Sequence, residues 1–239
     1  MPILLYHRVG PLLEGEDNMP PDKFEGHLTA IREKGMEIVS LPDYLQKDFN
    51  CREEAVAISF DDGMKNIYQY VFPLSLKYGF NFTVFLNSQF IGMTNWHSKA
   101  SRLFYERKEL APPEERERLW LFEYLQGDEI LAMKEKGIVF GSHGQSHRLL
   151  TILSRKDLRE EIWKSKITLE ELLKEEVMYF SYPWGTFNRA VKREVKRSGY
   201  RFAFISNLSA REDAFSMGRL LVKKDWDGER LLDEIRKSY

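Results

Sequence analysis

Four short runs in this 239-residue chain have the residue types and spacing to do chemistry. Ser59-Phe60-Asp61-Asp62-Gly63 sets two carboxylates side by side before a glycine. Ionising both costs energy unless a cation lies nearby, so one can bind a metal while the other stays free as a base. Gly141-Ser142-His143-Gly144-Gln145-Ser146-His147 contains His-x-x-x-His. That spacing puts two imidazoles about one helical turn apart, within reach of a single ion. Two histidines and an aspartate form a facial set that leaves positions open for water and substrate. A cation so held makes water acidic enough to attack near neutral pH, the chemistry of metal-assisted hydrolysis. Phe180-Ser181-Tyr182-Pro183-Trp184-Gly185 reads as a tight loop. Its backbone N–H groups could face a developing oxyanion, and Tyr182 and Trp184 could wall a pocket and stack on a sugar. Leu5-Tyr6-His7 ends an apolar run on an imidazole that could act as an acid. Taken singly, these runs are equally a solvated turn, a polar loop, a structural turn and a structural histidine. Their joint occurrence favours a metal site.

Each run follows a short apolar segment, and those segments must position it. Strands are predicted at Ile3–Tyr6, Met36–Val39, Ala55–Phe60, Asn81–Leu86, Ile138–Phe140, Val177–Phe180, Arg201–Ile205 and Arg219–Val222. Most are uninterrupted apolar stretches, as expected of parallel strands buried on both faces. Helical patterns lie between them at Pro21–Lys34, Met64–Tyr78, Glu129–Lys136 after an Asp128 cap, Ser154 to about Lys174, Phe187–Ser198 and Gly228–Lys237. In the long helix after Ser154, Leu158, Ile162, Ile167, Leu169 and Leu172 are the expected core positions. Repeated strand–helix–Gly–strand units imply a parallel α/β sheet or barrel, with the active edge at the strand C-termini. Residues 88–126 break this rhythm as an aromatic-rich, helical insertion, read as a packed hairpin or as a lid. His27 lies beside the apolar stripe of the first helix and reads as structural. His97 reads as a surface residue with a possible place along a substrate groove, and Cys51 as incidental.

Composition narrows the chemistry further. Thirty-six Lys and Arg against 37 Asp and Glu give a net charge of −1, which argues against nucleic-acid binding by bulk electrostatics. A single Cys excludes an intrachain disulfide framework and any Cys-rich cluster, so a metal site must be built from histidines and carboxylates. No stretch approaches the roughly 18 apolar residues of a membrane span. The N-terminus reads as a strand and not a signal peptide, which favours the cytoplasm. Residues 1–239 are expected to form a single domain; the oligomeric state is left open.

These motifs resemble the polysaccharide deacetylases of carbohydrate esterase family 4, the NodB-homology fold. Ser59–Gly63 is similar to that family's Thr/Ser-Phe-Asp-Asp-Gly motif, and His143 through His147 to its His-Ser/Thr-x-x-His motif. The resemblance implies a distorted (β/α) barrel of seven-unit type with parallel strands. It implies that Asp62, His143 and His147 hold a divalent metal, usually zinc, and that Asp61 is the general base. The third motif is matched at Pro183, Trp184 and Gly185, with Tyr182 beside them, but Ser181 stands where the family carries an arginine. Arg219 is the candidate replacement. The family's late Leu-x-His is absent, and Leu5-Tyr6-His7 is similar to it displaced to the front. That order is like a circularly permuted branch containing poly-N-acetylglucosamine deacetylases, in which His7 would be the acid.

The expected function is therefore metal-dependent hydrolysis of the N-acetyl group of an amino sugar in an N-acetylglucosamine-type carbohydrate. Two alternatives stand beside it. One is a deacylase of a small or lipid-linked amido-sugar, motivated by the missing signal peptide. The other is a carbohydrate-binding homologue without catalysis, motivated by Ser181.

Overall fold

The computed structural model describes residues 2–11, 18–46, 55–93, 123–208 and 213–238. The elements run β1 (Ile3–Tyr6), α1 (Pro21–Glu33), β2 (Glu37–Val39), α2 (Leu41–Gln46), β3 (Ala55–Phe60), α3 (Phe72–Tyr78), β4 (Thr83–Leu86), α4 (Gly127–Glu135), β5 (Val139–Ser142), α5 (Arg155–Arg159), α6 (Ser165–Leu173), β6 (Tyr179–Ser181), α7 (Arg189–Arg197), β7 (Phe202–Phe204), β8 (Arg219–Leu221) and α8 (Gly228–Lys237). Seven parallel strands are ordered β7-β6-β5-β4-β3-β1-β8, and β2 pairs with the first half of β3. Met217, just before β8, bridges to Phe204 and exchanges backbone hydrogen bonds with Ala203 and Ile205. The sheet thus nearly closes into the distorted barrel expected.

Alternation along the strands sorts the side chains into two layers. Leu4, Tyr6, Val56, Ile58, Phe60, Val84, Phe180 and Leu220 pack outward against the helices. Ile3, Ala57, Phe85, Tyr179 and Phe204 form a second, smaller cluster. Parallel strands covered on both faces have no solvated side, so β1 and β3 are buried at every residue.

Several local expectations change. Leu41–Gln46 is a short helix that the pattern did not reveal. The cap of α4 is Gln126 and not Asp128: the Glu129 carboxylate accepts from the Gln126 N–H at 2.9 Å. Met64–Tyr78 is not one regular helix, because Ile67–Val71 is a π turn that leads into α3. The helix after Ser154 is likewise interrupted by a π turn over Glu160–Lys164. Its extra residue shifts the apolar phase. Glu161 and Ile162 both turn inward, Leu169 and Leu173 are buried, and Ile167 and Leu172 are left half-buried. Of the insertion, residues 94–122 lie outside the described residues, as do His97 and Cys51. Its two ends are stitched to the barrel: Leu125 N–H donates to Gly63 O, Lys65 N–H to Glu123 O, and Tyr124 N–H to Met93 O.

Candidate active site

The strand C-termini place the motif residues on one rim. Asp61 and Asp62 follow β3, His143 and His147 follow β5, Tyr182–Gly185 follow β6, and His7 follows β1. Asp62 Oδ1 lies 3.7 Å from His143 Nε2 and 3.5 Å from His147 Nε2. The three ligating atoms all fall within 4.8 Å of one another. Donors arranged tetrahedrally around one cation at ordinary bond lengths lie about 3.4 Å apart, so the set fits a divalent metal.

The donor chemistry points the same way. His143 Nδ1 donates to Ser181 O at 2.8 Å, which leaves Nε2 as the ring's lone pair, facing Asp62 at 3.7 Å and Asp61 at 4.0 Å. Burial pushes the His143 pKa down to about 4, against the pull of Asp61, so the ring is neutral at neutral pH. A lone pair aimed at two carboxylates is repulsive without a cation between them. Asp62 and His147 are also held at φ 72° and 57°, left-handed backbone that non-glycine residues adopt at a cost. Trp184, at φ 63°, shares this strain.

Asp61 is the most constrained carboxylate. Arg219 grips it with a bidentate fork, Nη1 to Oδ1 at 2.8 Å and Nη2 to Oδ2 at 2.6 Å. Ser181 Oγ donates to Oδ2 at 3.0 Å and accepts from Arg219 Nη2 at 2.7 Å. Arg219 is fully buried, with Nε on Ile205 O and its guanidinium 5.2 Å from the Phe85 ring centroid. Burial opposes ionisation of Asp61, but Arg219, then His143 and His7, hold it far below the usual carboxylate range. Asp62 is lowered as well: burial works against it, while His7, His143 and His147 outweigh that cost. His7 is half-buried and follows Tyr6, whose carbonyl accepts from the Asp61 N–H at 3.1 Å, so the parallel register of β1 and β3 sets His7 next to Asp61 along the rim.

The loop after β6 is divided in its roles. Tyr182 is packed inside, stacked on Phe187 with centroids 4.8 Å apart, and its hydroxyl donates to Phe215 O. Its ring therefore belongs to the core and presents no face to a sugar. Trp184 is 65% exposed, with its ring 4.9 Å from His147 and Nε1 donating to His147 O at 3.2 Å. Tyr182, Gly185 and Thr186 spend their N–H groups on Phe204 O, Tyr182 O and Pro183 O, and Pro183 has none. Trp184 holds the loop's remaining N–H. Gly185 combines φ 63° with a position where a Cβ would come 2.0 Å from Ser206 Oγ, so any side chain there is strained and must displace that hydroxyl.

One residue here escaped the sequence reading. Glu161, buried in the π turn, accepts from the N–H groups of Gln145 (3.2 Å) and Ser146 (2.9 Å) and from the Ser146 hydroxyl. It clamps the backbone between the two histidines. Ser142 and Ser165 complete the hold through Gly144 N–H and O. The signal was its place three residues after Leu158, on the buried side of the helix.

The sequence profile of the polysaccharide deacetylase family matches residues 50–203. YxkH of Bacillus subtilis strain 168 is 24% identical over 205 residues, covering 84% of this chain and 62% of that protein. The poly-β-1,6-N-acetyl-D-glucosamine N-deacetylase of Staphylococcus epidermidis is 28% identical over 187 residues, covering 74% of this chain and 60% of that protein. The chain thus spans about three fifths of the length of these two relatives. The solved Streptococcus pyogenes deacetylase PplD, in complex with acetate, superposes with a TM-score of 0.77 at 21% identity, covering 98% of this chain and 96% of that one.

Proposed function

The chain belongs to the polysaccharide deacetylase family, and we propose that it hydrolyses the N-acetyl group of an amino sugar in an N-acetylglucosamine-type glycan, releasing acetate and a free amine. One observation carries the reading: three ligating atoms converge beside a second, arginine-held carboxylate on the same barrel rim. Asp62, His143 and His147 would hold a divalent cation, zinc in our reading. When bound, the cation supplies Lewis acidity toward the acetyl carbonyl and toward water.

The chain's own groups supply the proton steps. One water adds across the C–N bond, its oxygen going to the acyl carbon and its proton to the amine nitrogen. Asp61 is fixed in orientation by Arg219 and Ser181, and we assign it the proton that the attacking water loses, while the nitrogen receives its proton from the acid and the two groups exchange theirs through solvent after turnover. The low pKa of Asp61 makes it a weak base, which is why the site needs a cation as well as a carboxylate. His7, beside the pair, is the donor to the departing nitrogen, since an amine leaves poorly without a proton. We assign the developing oxyanion to the Trp184 N–H, since its loop neighbours spend theirs on backbone carbonyls, and the exposed indole offers an apolar face to a sugar ring. The non-catalytic alternative loses its premise, because Arg219 reaches Asp61 from β8 where Ser181 leaves room.

The substrate we assign is a β-1,6-linked N-acetylglucosamine chain, by analogy with the named activity of the staphylococcal relative. Chelating divalent cations should abolish acetate release from such oligomers, and zinc should restore it. Full turnover after chelation would contradict the proposal.

A further inference from the structure

Away from the rim, α5 and its π turn face α7 across a groove of about 770 Å³. Arg155 and Arg159 stand one helical turn apart on one wall, and Arg193 and Arg197 one turn apart on the other. Lys156 adds a fifth cation against the single carboxylate of Glu194. Like charges at i,i+4 destabilise a helix, so Arg155 with Arg159 and Arg193 with Arg197 each carry a repulsion, and the two walls face each other. Among the described residues none of these five cations has an ion-pair partner; the Arg159 guanidinium rests only over the Trp163 ring, 5.7 Å from its centroid. The whole chain is nearly neutral, so this is a segregated charge and not a general excess. The Ser198 hydroxyl, at the groove lining and 8% exposed, has no hydrogen-bond partner.

The groove joins the site through its loops. The loop carrying His147 runs into α5, and the loop carrying Trp184 runs into α7. Asn188, the cap of α7, donates to Thr151 O at 3.3 Å and ties the two together. Guanidinium forks pair with phosphate and carboxylate oxygens alike, and the indole offers a face for a sugar. Deacetylation leaves protonated amines, which five cations would repel.

We propose that this groove binds a phosphate- or carboxylate-bearing segment joined to the N-acetylglucosamine chain whose amino sugar occupies the active site. The inference rests on the deacetylase reading for the identity of the polymer, but its test is a binding measurement that needs no turnover. Linear polyphosphate and polygalacturonate are the probes, titrated against the whole chain at several salt concentrations. At least one should bind, with affinity falling as salt rises. Arg193→Ala with Arg197→Ala should weaken that binding about tenfold and reduce the log–log salt slope by about two. Because the substitutions remove a repulsion, the variant should be at least as heat-stable as the parent. Its kcat/KM on neutral β-1,6-N-acetylglucosamine oligomers should be unchanged. Absence of polyanion binding, or equal binding by the variant, would overturn the groove assignment. So would binding to vesicles of equal parts phosphatidylglycerol and phosphatidylcholine without binding to either soluble polyanion. If neutral oligomers are not turned over while polyanions bind, the deacetylase reading falls and the groove stands.

Discussion

Arg219 does at one position what the neighbouring loop cannot do at Ser181. Its guanidinium holds both oxygens of Asp61 at the barrel rim, where Arg219 is sealed from solvent and Asp61 keeps only a sliver of exposure. Breaking a buried pair from one side leaves a stranded charge, at a cost of about 3–5 kcal/mol. Arg219→Ala should therefore lose stability on that scale. It should also move the acid limb of the kcat/KM profile to higher pH. The sign follows from the pair: Arg219 lowers the Asp61 pKa, so without it the carboxylate protonates, and stops acting as a base, at a higher pH. A pH–rate profile of Arg219→Ala beside Arg219→Lys checks this, with lysine restoring part of the shift. An unmoved acid limb would separate Arg219 from the base. In the sequence, the four motif runs and their strand ends were readable because each pairs polar residues with an apolar strand. Arg219 was only a candidate, because its contact with Asp61 spans 158 positions and depends on the sheet curling round to bring β8 beside β1. The alternation that sets Ser59 and Asp61 on one strand face gave half of that contact; closure gave the rest.

At the scale of elements, the π turn over Glu160–Lys164 decides how the histidine loop is held. An uninterrupted helix in the phase of Leu158 and Ile162 would leave Glu161 at the edge of the buried stripe. The inserted residue turns Glu161 toward Gln145 and Ser146. Supporting groups of this kind typically govern metal affinity by about 10–100-fold. Glu161→Gln keeps the shape but removes the charge from three hydrogen bonds, so zinc affinity measured by competition with a chelating dye should fall within that range. Glu161→Asp should recover part of it. Unchanged affinity in Glu161→Gln would mean that the loop holds its shape unaided. The π turns were not legible in the sequence, since a one-residue shift in phase hides within the scatter of a mixed apolar stripe. Helix ends marked by glycine or by a side-chain cap, as at Gly79 and Ser154, were legible for the opposite reason: each is a local requirement.

Across the whole molecule, the first and last units lock the barrel. His27 on α1 accepts from the Tyr6 hydroxyl at Nδ1 and donates from Nε2 to Trp226 O, both at 3.0 Å, joining β1 to the segment before α8. At Gly228 the backbones come so close that a Cβ would meet Ala30 Cβ at 2.7 Å. The sequence marked His27 as structural from its apolar neighbours, and its partners 21 and 199 positions away give the reason. Burial lowers the His27 pKa from 6.5, so the unfolded chain takes up the proton first and this histidine's contribution to stability declines as pH falls below about 6.5. His27→Ala would strand a buried hydroxyl and a carbonyl, costing about 2–4 kcal/mol in denaturant unfolding. The chain that remains folded should keep its kcat, and a proportionate loss of kcat would instead tie His27 to the site. The motif residues, drawn from positions 7 to 185, meet only because this closure holds. The most direct test is acetate release from β-1,6-N-acetylglucosamine oligomers by zinc-loaded parent and Asp61→Asn, with bound zinc measured on the same samples. The account predicts equal zinc in both and turnover about 10²–10⁴-fold lower in the variant. Undiminished acetate release by Asp61→Asn at equal zinc would contradict it.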